Sequence, residues 1–126
     1  MNTAWIIDDD KIVCKLVSTM LSAKGFSCEV FNSRQDIIED KLKLDLGETP
    51  RPTLVLIDLQ LGEDQGVEVY KEILEILPAE DSHKIKFVFM SSNSREESEE
   101  FHGIEEDNLF LQKPFKSVEL NEILGM

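Results

Sequence analysis

The chain has 126 residues, of which 41% are hydrophobic and 31% are charged, as expected for one globular domain with a sizeable core. Its formal net charge of −13 argues against direct binding to nucleic acid or to an anionic membrane, because phosphate groups attract Lys and Arg. The sequence has neither a signal-peptide pattern nor an apolar run of about 18 residues, so we expect a cytoplasmic protein with one domain, residues 1–126.

Strands and helices are predicted to alternate along the chain. Apolar runs that end in polar residues predict four strands, and a more alternating segment predicts a fifth strand nearer an edge of the sheet. Apolar residues at helical spacing predict the helices between them. The predicted elements are strand 5–9 (WIIDD), helix 11–24, strand 27–31 (SCEVF), helix 33–44, strand 54–58 (LVLID), helix 66–77, strand 87–92 (FVFMSS), a short helix within 94–107, strand 109–115 (LFLQKPF) and helix 117–124.

Three of these helices have an apolar stripe that is expected to face the sheet. The stripes are Ile12, Val13, Leu16, Val17, Met20 and Leu21; Ile37, Ile38 and Leu42; and Val67, Tyr70, Ile73, Leu74 and Leu77. Ser33 is the expected cap of the second helix, and Gly25 ends the first. The segment 94–107 is crowded with like charge, so its helix should be short or frayed. Cys14 and Cys28 lie in apolar segments and are expected to be buried in a reducing compartment.

The alternation predicts an α/β fold, a doubly wound parallel sheet of five strands with helices on both faces. The carboxyl ends of parallel strands share one edge of the sheet, and ligands bind there. Asp8 and Asp9, Asp58, Ser91 and Lys113 come from the ends of four strands, so we expect them to meet at this edge. Carboxylates, a hydroxyl and an ammonium group together suit a divalent cation beside a phosphate group.

Each of these residues also has an ordinary structural explanation. Two carboxylates about 4 Å apart repel by roughly 4 kcal/mol at an effective dielectric of about 20, so water or a cation must screen the run Asp8–Asp10. Three aspartates before a helix can simply cap it, and Asp58 can cap a turn. Ser91 and Lys113 indicate little when each is taken alone. The functional interpretation therefore depends on all of them meeting at one edge.

With these residues identified, the chain resembles the receiver domains of two-component response regulators, and among them the chemotaxis regulators. The resemblance covers essentially the whole chain and rests on the Asp8–Asp9 pair, LVLIDLQLGEDQG (54–66), Ser91 and KPF (113–115). It implies a flavodoxin-like (βα)5 fold with strand order 2-1-3-4-5. Within these motifs, the bond before Pro114 can be cis, and Gly66 marks a loop end that needs tight backbone.

The resemblance also implies what the acidic residues do. Asp58 would accept a phosphoryl group from a phosphohistidine on a sensor histidine kinase or a histidine phosphotransfer protein. Asp9 would bind Mg²⁺ directly, with Mn²⁺ as the alternative ion, and Asp8 would bind it through water. Asp58 and the backbone carbonyl of Gln60 would complete the protein's share of the metal ligands.

The same resemblance implies a switch after phosphorylation. Lys113 and Ser91 would contact the phosphoryl oxygens, and Ser91 would move toward the new group. Phe110 would then turn inward, although its position is equally typical of an ordinary core aromatic residue. The protein would catalyse only its own phosphorylation and dephosphorylation and is not expected to be an enzyme otherwise. The downstream partner or output domain is left open.

Some features depart from the family pattern. Gly62 stands where most relatives have proline, so the loop after Asp58 is expected to be looser, and Ser92 makes the entrance of the site more polar. The segment 94–107 is unusually acidic and the last helix is short. Contacts with an output partner therefore cannot be inferred by analogy.

Two other functions compete with the receiver hypothesis. A phosphatase of the haloacid-dehalogenase type would need an acid two residues after its nucleophile, where this chain has Gln60. A receiver-like scaffold would bind its partners without phosphorylation. The chain could be a stand-alone receiver, a piece of a larger regulator or a domain of a hybrid kinase, and Met1 just before the first strand favours a natural N-terminus.

Overall fold

The structure is a computed structural model, and it describes residues 2–45, 51–77, 85–93 and 109–125, with the side chains of 40–45 excepted. The helix expected within 94–107 and the side chain of Leu42 lie outside these residues. The described elements are β1 (Thr3–Ile7), α1 (Lys11–Ser22), β2 (Ser27–Phe31), α2 (Arg34–Asp45), β3 (Leu54–Asp58), β4 (Gln60–Leu61), β5 (Asp64–Gln65), α3 (Gly66–Ile76), β6 (Lys86–Ser91), β7 (Leu109–Gln112) and α4 (Ser117–Leu124).

Five of the strands form one parallel sheet in the order β2-β1-β3-β6-β7. This is the expected order 2-1-3-4-5, because β4 and β5 form a separate two-stranded hairpin. Strand β2 lies at an edge and is largely exposed, as its alternating sequence predicted. Strands β1 and β3 are buried along their whole length because helices cover both faces of the sheet. The flavodoxin-like α/β fold is confirmed.

Two hydrophobic clusters lie on opposite faces of this sheet. Successive side chains of a strand point to opposite faces, so Trp5 and Ile7 join one cluster while Ala4 and Ile6 join the other. The first cluster includes side chains of α2 and α3, and the second includes side chains of α1 and α4. Among the described helices, none has the length and apolar character that crossing a bilayer requires.

Helix α1 buries a narrower stripe than its sequence predicted. Cys14, Val17 and Leu21 are buried against the sheet. Ile12 and Leu16, which the prediction placed on the same stripe, are 81% and 52% exposed. The prediction that all six residues face the sheet was wrong in this respect. Six apolar residues over three turns span a wider arc of the helix than the face that contacts the sheet.

Three further side chains differ from expectation. Ile38 of α2 is 41% exposed, and Cys28 is only half-buried. Val69 of α3 is fully buried although it was outside the predicted stripe. Ser33 behaves as expected, because its hydroxyl accepts a hydrogen bond from the N–H of Asp36 at 3.2 Å near the start of α2.

Gly66 begins α3 directly against the end of β3. A Cβ atom here would overlap the backbone carbonyl oxygen of Asp58 and would lie 2.8 Å from the Cα atom of Leu59. The N–H of Gly66 also donates to the carbonyl oxygen of Leu59 at 2.7 Å, so the two backbones are held together. The chain therefore needs glycine at this position for close approach.

Gly66→Ala should lower the free energy of unfolding by about 2–3 kcal/mol, because the new methyl group meets backbone that cannot give way. Urea denaturation measures the loss. Gly25→Ala is the matched control: Gly25 has a φ of 93° and open space around its Cα, so its replacement should cost about 1 kcal/mol from backbone strain alone. Equal losses in the two variants would contradict the steric explanation.

Candidate functional site

The three aspartates after β1 have different environments. The Asp10 carboxylate caps α1, and its Oδ1 accepts hydrogen bonds from the N–H groups of Ile12 at 2.9 Å and Val13 at 3.3 Å. Asp8 is fully buried, whereas Asp9 is exposed at the same edge of the sheet. The capping explanation therefore holds for Asp10 and leaves Asp8 and Asp9 for the site.

Lys113 joins the ends of three strands. Its Nζ atom lies 2.6 Å from Oδ2 of Asp8 after β1 and 2.9 Å from Oδ2 of Asp58 at the end of β3. Its backbone N–H donates to the carbonyl oxygen of Ser91 at 2.7 Å, which holds the chain beyond β7 to the end of β6. The peptide bond between Lys113 and Pro114 is cis, as the sequence allowed.

Asp8, Asp9 and Asp58 form a cluster of carboxylates. Each offers an oxygen atom, and these oxygens all lie within 4.8 Å of one another. One ammonium group cannot neutralise three carboxylates at this spacing, so the cluster retains a strong attraction for a cation. A set of oxygen donors open to water fits Mg²⁺, and Mn²⁺ accepts the same ligands. The structure thus brings together the acidic residues that the strand ends predicted.

The titration of Asp8 and Lys113 reflects their contact. Burial raises the pKa of Asp8, while the hydrogen bonds from Lys113 and from the N–H of Asp10 at 2.9 Å act against this rise. Burial lowers the pKa of Lys113, but its contacts with Asp58 and Asp8 outweigh burial and leave the pKa raised. The ammonium group therefore stays charged at neutral pH, and the ionised form of Asp8 works against folding.

Two polar side chains support the backbone of Asp8. Nδ2 of Asn32 donates to the Asp8 carbonyl oxygen at 2.9 Å, and the thiol of Cys14 donates to the same oxygen at 3.3 Å. Burial, assisted by the charge of Asp8, raises the pKa of Cys14 to about 11, so the thiol remains a donor. Our sequence reasoning missed Asn32. Its signal was a polar residue directly after β2, at the same edge of the sheet.

Asp58 lies at the bottom of an open cleft. It is 7% exposed, its Oδ1 accepts a hydrogen bond from the N–H of Gln60 at 3.0 Å, and its Oδ2 accepts one from Lys113. The cleft has a volume of about 290 Å³ and mostly polar walls. Its lining residues are Asp9, Asp10, Asp58, Gln60, Gly62, Ser91, Ser92, Asn93 and Lys113.

Ser91 and Phe110 occupy the positions that their strands predict. Ser91 ends β6 and lines the cleft, and its Oγ accepts a hydrogen bond from the N–H of Asn93 at 3.0 Å. Phe110 on β7 lies beside Phe89 on β6, is half-buried and packs against the core. This packing is that of an ordinary core aromatic, and the switch roles of Ser91 and Phe110 remain predictions, as does the metal-ligand role of the Gln60 carbonyl.

The segment after Asp58 forms a hairpin, and the expectation that Gly62 makes this segment looser stays a prediction. Strands β4 and β5 pair Gln60 with Gln65 and Leu61 with Asp64, and Gly62 stands first in the two-residue turn. The side chain of Leu61 is 2% exposed and anchors the hairpin in the core.

An apolar groove adjoins the cleft. It has a volume of about 490 Å³ and lies between the first turns of α1 and the chain after β7. Its lining residues are Asp10, Val13, Leu16, Val17, Ser92, Lys113, Pro114 and Phe115. Three of these, Asp10, Ser92 and Lys113, also line the cleft, so the groove and the cleft form one continuous surface.

Known proteins resemble this chain in sequence and in fold. The family model of the response regulator receiver domain matches residues 4–125. The transcriptional regulatory protein CreB of Escherichia coli is 26% identical over 120 residues, which cover 94% of this chain and 47% of CreB. The chain spans about half or less of the length of the curated relatives it matches.

Solved structures show the same fold. A CheY-like receiver domain from Methylobacillus flagellatus has a TM-score of 0.75 and 26% identity, and the match covers 99% of this chain and 97% of that one. A response regulator protein from Burkholderia pseudomallei, solved with a phosphorylated aspartic acid, a calcium ion and citrate, has a TM-score of 0.74 at 16% identity. That match covers 98% of this chain and 66% of the other.

Asp8→Asn should raise the free energy of unfolding of the protein in EDTA at pH 7, because it removes a buried charge that disfavours folding. Urea denaturation in EDTA measures the gain, with Glu75→Gln, an exposed carboxylate of α3, as the control for lost charge. Excess Mg²⁺ should reverse the order, since the complete cluster binds the ion more tightly. A variant less stable than the wild type in EDTA would contradict this account.

The raised pKa of Asp8 also gives a pH dependence. A group whose pKa is higher in the folded state stabilises the fold below its unfolded pKa and loses that contribution as pH rises through the folded pKa. Lowering the pH from 7 should therefore narrow the stability difference between the wild type and Asp8→Asn. The same denaturation series over pH checks it, and a difference that widens toward acid pH would refute the assignment.

Proposed function

The chain belongs to the family of response regulator receiver domains, and we propose that Asp58 accepts a phosphoryl group from a phosphohistidine donor in a Mg²⁺-dependent reaction. Receiver domains are signalling modules of two-component systems, and phosphorylation of an aspartate is a general property of the family. We propose that residues 1–126 form one such module in the cytoplasm. Its activity would be limited to its own phosphorylation and dephosphorylation.

The contact of Lys113 with Asp8 and Asp58 is the observation that carries this proposal. The ammonium group lies 2.9 Å from the proposed nucleophile, beside a cluster of three carboxylate oxygens within 4.8 Å of one another. An ordinary surface aspartate needs neither a half-buried lysine nor two neighbouring acids. The combination suits transfer of a phosphoryl group to a carboxylate, because positive charge is needed to offset the negative oxygens of both groups.

The proposed reaction is a direct phosphoryl transfer. An oxygen of Asp58 attacks the phosphorus atom, a P–O bond forms, and the P–N bond to the imidazole of the donor breaks. Lys113 then pairs with a phosphoryl oxygen, and the Ser91 hydroxyl at the wall of the cleft donates to another. Mg²⁺ held by Asp8, Asp9, Asp58 and the Gln60 carbonyl would neutralise charge on the transferred group.

We further propose that the new group acts as a switch. A phosphoryl group adds roughly −1.5 to −2 charge and three strong acceptors. The Ser91 hydroxyl, which now accepts from the N–H of Asn93, would turn to the phosphoryl oxygens instead. Phe110 on the neighbouring strand would then move toward the space behind β6. The surface that changes and its output partner stay open.

A protein donor fits the surface around the cleft. The apolar groove continues from the cleft, and Leu16 of α1, which lines the groove, is 52% exposed. Exposed apolar surface that adjoins a reaction site is typical of a protein contact. We propose a sensor histidine kinase or a histidine phosphotransfer protein as the donor. The net charge of −13 disfavours direct contact with nucleic acid or membrane.

Incubation with Mg²⁺ and acetyl phosphate, a small acyl phosphate, should add one phosphoryl group, measured by intact mass. Asp58→Asn should abolish the adduct, because the nucleophile is lost, and EDTA should suppress it. Asp64→Asn, which removes an exposed acid from the nearby hairpin, is the matched control and should be phosphorylated normally. Lys113→Ala should slow the reaction by about 100-fold, because it removes the cation that meets the phosphoryl oxygens.

Four results would count against the proposal. Absence of any adduct on the wild type, or an adduct that survives Asp58→Asn, would exclude Asp58 as the acceptor. Steady turnover of a phosphate monoester would favour the phosphatase hypothesis instead. Partner binding that is indistinguishable between the wild type and Asp58→Ala would favour the scaffold hypothesis.

A further inference from the structure

The N–H of Gly62 points at the carboxylate of Asp9. It donates a hydrogen bond to Oδ2 of Asp9 at 3.2 Å, across 53 residues of sequence. Within the ranges that the structure describes, this is the only hydrogen bond that the Asp9 carboxylate accepts. Asp9 is the exposed member of the carboxylate cluster, whereas Asp8 and Asp58 are both buried and bonded to Lys113. Its orientation therefore depends on the hairpin.

The hairpin that carries Gly62 is firmly anchored on both sides. Leu59 and Leu61 are each 2% exposed and belong to the hydrophobic core. The N–H of Leu59 donates to the carbonyl oxygen of Met90 at 2.9 Å, and its own carbonyl oxygen accepts from Gly66 at 2.7 Å. These contacts fix the position of the turn, and Gly62 is one of the residues that line the cleft.

The conformation of the turn requires glycine. Gly62 has a φ of 61°, and no residue other than glycine has positive φ in the described parts of the chain. Positive φ at the first position of a two-residue turn is the type II′ pattern, which favours glycine. Proline fixes φ near −65° and has no N–H. A proline could therefore neither form this turn nor donate to Asp9.

We propose that Gly62 is a positioning residue for Asp9: its N–H holds this carboxylate toward the oxygens of Asp8 and Asp58 before a cation arrives. The inference rests on the cation site of the proposed function. A carboxylate has about four lone-pair sites, so one hydrogen bond leaves ample capacity for a metal. The N–H dipole also offsets part of the repulsion among three acids, and the side chain loses less freedom when the ion binds.

The contact is tested without altering the turn. Asp9→Ala should speed hydrogen exchange of the Gly62 amide by about fivefold or more, because its acceptor is gone. The Gly66 amide, which donates to Leu59, is the internal control and should be unchanged. Equal exchange of the Gly62 amide in the wild type and the variant would overturn the contact.

The consequence for the site is tested by calorimetric titration with Mg²⁺. Gly62→Pro should weaken binding about tenfold, because it removes the donor. Gly62→Ala is the matched variant: it keeps the N–H and nothing lies within 4 Å of the new Cβ, so it should strain the turn but weaken binding less than about threefold. Circular dichroism verifies that both variants are folded.

The outcomes separate this inference from the proposed function. A wild type that binds no Mg²⁺ would overturn the cation site itself. A wild type that binds the ion as tightly as Gly62→Pro would leave the site intact and overturn the role of Gly62. Equal weakening in the Ala and Pro variants would assign the effect to the shape of the turn, and would also refute a role for the N–H. If Gly62→Pro does not fold, the exchange experiment decides the question.

Discussion

The ion pairs of Lys113 with Asp8 and Asp58 are the interaction on which the site depends. They tie the ends of β1 and β3 to the chain beyond β7, at 2.6 Å and 2.9 Å. Without the positive charge of Lys113, nothing on this side of the cluster would offset the repulsion among three carboxylates whose oxygens lie within 4.8 Å of one another. The lysine therefore offsets part of the repulsion within the acidic cluster, and it leaves enough negative charge to attract a divalent ion.

This arrangement sets function against stability. Asp8 is buried at the edge of the sheet, where its ionised form disfavours folding, and its pKa is raised as a result. The surrounding structure compensates through hydrogen bonds to its backbone from Asn32 and Cys14 and to its side chain from Lys113. These contacts place Asp8 firmly without neutralising the cluster. If the cluster binds a cation as we propose, replacing these acids to gain stability would weaken the cation site.

The meeting of the acidic residues at one edge of the sheet could be predicted from the sequence, because strands that alternate with helices are expected to run parallel. Apolar runs that end in Asp58, Ser91 and the pair Asp8–Asp9 imply parallel strands, and parallel strands bring their ends to one edge. The exposure of Ile12 and Leu16 could not be read in this way, since it depends on where α1 crosses the sheet. The contact of Asn32 was also missed, because a single polar residue after an edge strand carries little information by itself.

The segment after Asp58 was harder to predict from the sequence, because its two glycines are needed for different structural reasons. Gly66 is needed where α3 approaches the backbone of Asp58, and no hydrophobic pattern reports such a distance. Gly62 is needed for a turn with positive φ, which depends on the pairing of β4 with β5. The sequence showed only that a proline is absent here. In the structure the glycine forms a tight turn, and its N–H reaches the exposed carboxylate of the cluster.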